Sequence, residues 1–103
     1  MVQLIAAKNA EVAALCRRFH VRRLEVFGSA AREHDFDPAH SDIDFLVEFT
    51  EHPDGMSLGN FFDLKEALEG VFGRPVDLLM PGAIRNPYLK ASVDRSRVEV
   101  FGA

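Results

Sequence analysis

Residues 41–49 read SDIDFLVEF. Ile43, Phe45, Leu46, Val47 and Phe49 have the β-branched and aromatic character of a core strand, yet Asp42 and Asp44 stand one residue apart in the same run. Side chains alternate along a strand, so the two aspartates share one face while Ile43, Phe45 and Val47 turn the other way into apolar packing. Upstream, LEVFG (24–28) is a short strand stopped by a glycine, and Ala30, Ala31 and Arg32 form the first turn of a short helix. The polar, proline-containing EHDFDPAHS (33–41) is a loop. Downstream, EHPDG (51–55) is a second loop; Phe61, Leu64, Leu68, Val71 and Phe72 then recur at spacings of three and four, predicting a helix closed by Gly73 and Pro75. PVDLLM (75–80) is a third strand. After Pro81 and Gly82, a last helix with Ile84, Leu89 and Val93 leads to a fourth strand, VEVFG (98–102). At the other end, Val2, Ile5, Val12, Leu15, Cys16 and Phe19 predict one amphipathic helix over 2–19. The order alternates helix and strand four times. It predicts an α+β (α/β) fold, a small mixed four-stranded sheet with helices packed on it.

The chain has 103 residues, 48% of them hydrophobic and 27% charged, the make-up of a globular protein. One domain over 1–103 is expected, large enough for a core and too small for a separate substrate domain. The formal net charge of −4 argues against a broad grip on a nucleic-acid backbone, so no direct nucleic-acid binding is expected. Cys16 is the only cysteine, which excludes an intrachain disulfide and a cysteine-based metal cage. No run approaches the roughly 18 apolar residues that cross a bilayer, and the start lacks the order of a signal peptide. A cytoplasmic location follows as the expectation.

Two carboxylates held side by side repel, and a hard divalent cation such as Mg²⁺, which prefers oxygen ligands, would relieve them. A solvated pair on the rim of an edge strand is the plainer reading of the doublet alone. Three further features bear on the choice. Gly28-Ser29 after a strand offers backbone N–H groups and a hydroxyl to a phosphate chain. Arg32, one turn on, has a planar fork that suits phosphate oxygens. Asp77 interrupts Val76, Leu78 and Leu79, placing an acid in a second apolar strand, where it is costly unless paired.

Taken together, Gly28-Ser29, Arg32, Ser41-Asp42-Ile43-Asp44 and Val76-Asp77-Leu78-Leu79 resemble the minimal nucleotidyltransferase (MNT) family of the polymerase-beta superfamily. The resemblance covers nearly the whole chain. It implies that Asp42, Asp44 and Asp77 hold two Mg²⁺ ions with a nucleoside triphosphate, and that Gly28 and Ser29, with Arg32, bind the phosphates. It further implies an antitoxin paired with a HEPN ribonuclease toxin, transferring AMP from ATP to a tyrosine of that partner. A non-catalytic antitoxin that neutralises the toxin by contact is the alternative, for which the acidic loop bearing Glu33, Asp35 and Asp37 leaves room. A small-molecule nucleotidyltransferase would need extra chain to cradle its acceptor.

The remaining features have plain readings. His20, His34, His40 and His52 show no ligand spacing. Arg17, Arg18, Arg22 and Arg23 form a basic cluster at the end of the first helix, where cations suit the helix C-terminus; RNA or an acidic partner face is the sharper alternative. Phe61, Phe62 and Tyr88 are expected in core and helix packing, with one aromatic facing a nucleotide base as the sharper alternative, and Cys16 is expected as inert filler.

Overall fold

The computed structural model describes residues 3–32, 37, 42–50 and 58–102, the side chains of Arg32 and Leu58 excepted. Its elements are α1 (Gln3–Ala7), α2 (Asn9–Arg18), β1 (Val21–Phe27), α3 (Ser29–Arg32), β2 (Ile43–Phe49), α4 (Leu58–Phe72), β3 (Val76–Leu79), a 3₁₀ turn (Pro81–Ala83), α5 (Pro87–Ser96) and β4 (Val98–Gly102). The four strands form one sheet in the order β3-β2-β1-β4. β1 pairs antiparallel with β2 and β4, whereas β2 and β3 run parallel, joined by the crossover that contains α4. The sheet is mixed, as expected.

The alternation within β2 divides the molecule. Ile43, Phe45, Val47 and Phe49 join Leu24, Val26, Val76 and Leu78 on a face sealed by Ile5, Val12, Cys16, Leu64, Leu68 and Phe72 from the helices. Phe45 lies fully buried against Phe72, ring centroids 5.9 Å apart. Among the described residues, the opposite face is covered only in part. There Phe27 and Leu46 meet Val93 of α5, with Leu79 and Ile84 at the margin. Glu25, the one charged residue among those described that is buried, is tied at this side to Arg97, Nε to Oε2 3.7 Å, at the α5–β4 corner.

Several boundaries differ from the sequence reading. The first helix is two, because at Lys8 the backbone tightens to a three-residue step, Lys8 N–H to Ile5 C=O at 3.1 Å, before α2 begins. β1 starts at Val21 rather than Leu24: His20 adopts φ 60° and its carbonyl accepts the Thr50 N–H at 2.8 Å, which turns the chain at once into register with β2. Arg22 and Arg23 therefore belong to a strand and not to a helix end. Ile84 precedes α5, which starts at Pro87 with Asn86 Oδ1 accepting the N–H groups of Tyr88 and Leu89. On that helix Val93 is buried while Tyr88 (85% exposed) and Leu89 (45%) face outward, so neither serves the core.

Candidate active site

Asp44 lies second in β2, opposite Phe27 of β1 and beside Asp77 of β3. Laterally paired residues point to the same face of a sheet, about 5 Å apart. The parallel register thus places the Asp44 and Asp77 side chains next to each other on the face that α5 only partly covers. Asp44 is half-buried and Asp77 exposed. Asp42, also exposed, stands immediately ahead of β2, two residues before Asp44.

The glycine bend reaches the same spot. Gly28 has φ +71°, a conformation that L side chains rarely adopt, and a Cβ built on it would fall 2.7 Å from Asp44 Oδ2. Glycine is needed twice over, for the backbone angle and for the carboxylate lying against it. Its carbonyl accepts the Ala31 N–H at 3.1 Å, and its N–H donates to Ser96 Oγ at 3.1 Å. Ser29 opens α3, whose Ala30 and Ala31 are buried against the sheet. Arg32 is the last residue of α3, but its side chain lies outside the described residues, as do Glu33 and Asp35. Asp37 is exposed.

The placement of Asp77 depends on Glu69. One oxygen of Glu69, Oε2, accepts the Val76 N–H and the Lys65 ammonium, each at 3.1 Å, fastening the start of β3 to α4 across the Gly73 turn. The Val76 bond first, and Lys65 second, hold its carboxyl below the ordinary glutamate range. Neither Glu69 nor Ser96 stood out in the sequence. Glu69 reads as a surface residue in a Lys-Glu spacing of four, and a serine near a helix end carries no signal of a partner 68 positions away.

Among the described residues, no three His, Cys, Asp or Glu side chains converge, as they stand, into a group that could hold a metal ion. Mg²⁺ does not need one. It keeps several waters and is usually held by one or two carboxylates together with substrate phosphates. The hard oxygen donors of Asp44 and Asp77, side by side at a bend with no side chain of its own, fit that ion.

The other candidate features have contacts within the fold. Arg22 pairs with Glu48 at 3.3 Å, Arg23 with Glu99 at 3.5 Å, Arg17 lies over the Phe101 ring and Arg18 over Phe19. The basic cluster is thus engaged within the fold. Burial pushes the Cys16 thiol up to about 12, keeping it protonated and inert. Of the histidines, only His20 lies among the described residues. A hollow of about 470 Å³ lined by Arg22, Glu48 and Met80 through Ala83 opens at the C-terminal ends of β2 and β3, the far end from the aspartates.

Comparison with known proteins gives this geometry a context. The family model described as nucleotidyltransferase domain matches residues 12–100. Protein adenylyltransferase MntA of Thermococcus cleftensis is 41% identical over 76 residues, covering 74% of this chain and 72% of that protein. A solved structure provisionally described as a minimal nucleotidyltransferase superposes with TM-score 0.71 at 36% identity, over 90% of this chain and 89% of the other. A complex of a tri-AMPylated Shewanella oneidensis HEPN toxin with an MNT antitoxin contains a chain that shares the fold, with TM-score 0.65 at 17% identity over 96% of this chain and 73% of that one.

Proposed function

The chain belongs to the nucleotidyltransferase domain family in its minimal form, and from that membership we propose that it is a Mg²⁺-dependent protein adenylyltransferase. We take it to be a cytoplasmic antitoxin that moves AMP from ATP to a tyrosine of a HEPN-type toxin and so inactivates it. The observation that carries this reading is the register Asp44↔Asp77, which sets two carboxylates side by side next to the bare Gly28 bend. The name of the Thermococcus relative supports the reaction, and the Shewanella complex supports the class of partner.

In this reading Asp42, Asp44 and Asp77 are the oxygen ligands, and Ser29 and Arg32 at the Gly28 bend hold the triphosphate. When bound, Mg²⁺ supplies charge neutralisation for the leaving pyrophosphate and acidifies the attacking hydroxyl. The acceptor oxygen bonds to the α-phosphorus as the bond to pyrophosphate breaks, and the hydroxyl proton leaves to Asp77 or to water. Most of the rate comes from holding donor and acceptor in line, as in other phosphoryl transfers.

The experiment is direct. The protein is incubated with Mg²⁺, ATP and its HEPN-type partner, and the intact partner is weighed. A gain of one or more AMP masses that requires Mg²⁺ supports catalysis. Inhibition of the toxin with no change in mass would instead make the chain a binding antitoxin.

A further inference from the structure

We propose that Ser96 is a positioning residue for the bend that receives the phosphates, and that its hydroxyl withdraws the Gly28 N–H from that task. The inference rests on the nucleotidyltransferase reading and deepens it. Ser96 closes α5, three residues after Val93, so the two share the face of the helix that meets the sheet. Its hydroxyl has one proton and two lone pairs. The proton goes to the Ser92 carbonyl at 3.2 Å, within the helix, and a lone pair receives the Gly28 N–H at 3.1 Å. With the Gly28 carbonyl taken by Ala31, both polar groups of this glycine are committed, one to α5 and one to α3.

The consequence is geometric. A glycine at φ +71° has no side chain to hold it, and its own entropy favours leaving that angle. Two hydrogen bonds from two helices fix it, and with it the approach of its Cα to Asp44 Oδ2. The bend is then stiff before a nucleotide arrives, and its contribution to the phosphates passes through Ser29. Val93 supplies the apolar contact that keeps α5 in place, and Ser96 supplies the polar one that sets the bend.

The test measures the bond and the binding separately. In the unaltered protein, the Gly28 amide is expected to exchange slowly by ¹⁵N NMR, both alone and with Mg²⁺ and the non-hydrolysable analogue AMP-PNP. Ser96→Ala should speed exchange at Gly28 while leaving Val26 and Leu46 protected, and should weaken Mg²⁺–AMP-PNP binding by calorimetry about two- to tenfold, the net effect of one hydrogen bond. Ser96→Thr, which keeps the hydroxyl, should restore both. Fast exchange of Gly28 in the unaltered protein overturns the proposal, as does Ser96→Ala that binds the analogue as well as the parent. Asp44→Ala separates this from the underlying reading. If that variant binds Mg²⁺–AMP-PNP as tightly as the parent, the nucleotide site itself is wrong; if it loses binding while Ser96→Ala does not, only the role of Ser96 falls.

Discussion

Asp77 sets a second carboxylate beside that of Asp44. It is exposed, on an edge strand, and directly beside Asp44, and like charges in that relation destabilise a sheet. Replacing it with asparagine keeps the shape and removes the repulsion. Asp77→Asn should therefore raise stability by about 0.2–1 kcal/mol, read as a shift of the urea midpoint in a buffer free of divalent cations. Added Mg²⁺ should narrow the gap, because only the parent carries the charge that the ion relieves. A variant less stable than the parent in the absence of metal would mean that the carboxylate has a structural partner. The sequence disclosed this pair through chemistry out of place, an acid in each of two apolar runs. The supports of the pair stayed hidden. Glu69 and Ser96 act across contacts that only the folded chain creates, and both are ordinary residues at ordinary helical positions.

At the scale of elements, β3 is short and lies at the edge, so what fastens its start governs where Asp77 sits. Glu69 does so by accepting the Val76 N–H as a carboxylate. Its folded pKa lies below the ordinary glutamate range, so the stabilisation is fully present above that range and is lost as pH falls through the lower, folded value. The protection of the Val76 amide, relative to its intrinsic exchange rate, should fall selectively in that acid window, before the sheet centre opens, while Glu69→Gln should show little such dependence. Uniform behaviour of Val76 and Leu46 through the same window would remove Glu69 as the fastening. The strands and α4 were legible because their apolar spacing matches their period, and the two faces of β2 could be assigned from residues 43 to 49 alone. The break at Lys8 and the early start of β1 were not. Both arise where local backbone hydrogen bonds override a continuous apolar pattern, at Ile5 C=O and at His20 C=O. Leu89 misled in another way: it keeps helical spacing with Val93, but α5 reaches the sheet by too narrow a stripe to bury both.

On the scale of the whole molecule, the sheet is sealed by α1, α2 and α4 on one face and only partly covered by α5 on the other. Stability and chemistry are thereby separated. The sealed face holds Phe45, Leu64 and Leu68, and the open face carries Asp44, Asp77 and the Gly28 bend. In the proposed reading the carboxylates across β2 and β3 act as one unit in transferring AMP, and a double-mutant cycle separates that from independent roles. AMP transfer to the proposed HEPN-type partner is followed with Asp44→Ala, Asp77→Ala and the double variant, each shown to be folded. Groups acting as a unit give strongly non-additive losses. The expected result is a severe loss in each single variant and a double variant no worse than the poorer of the two. Single variants that retain transfer, or defects that multiply in the double, would show that the two aspartates do not share a site.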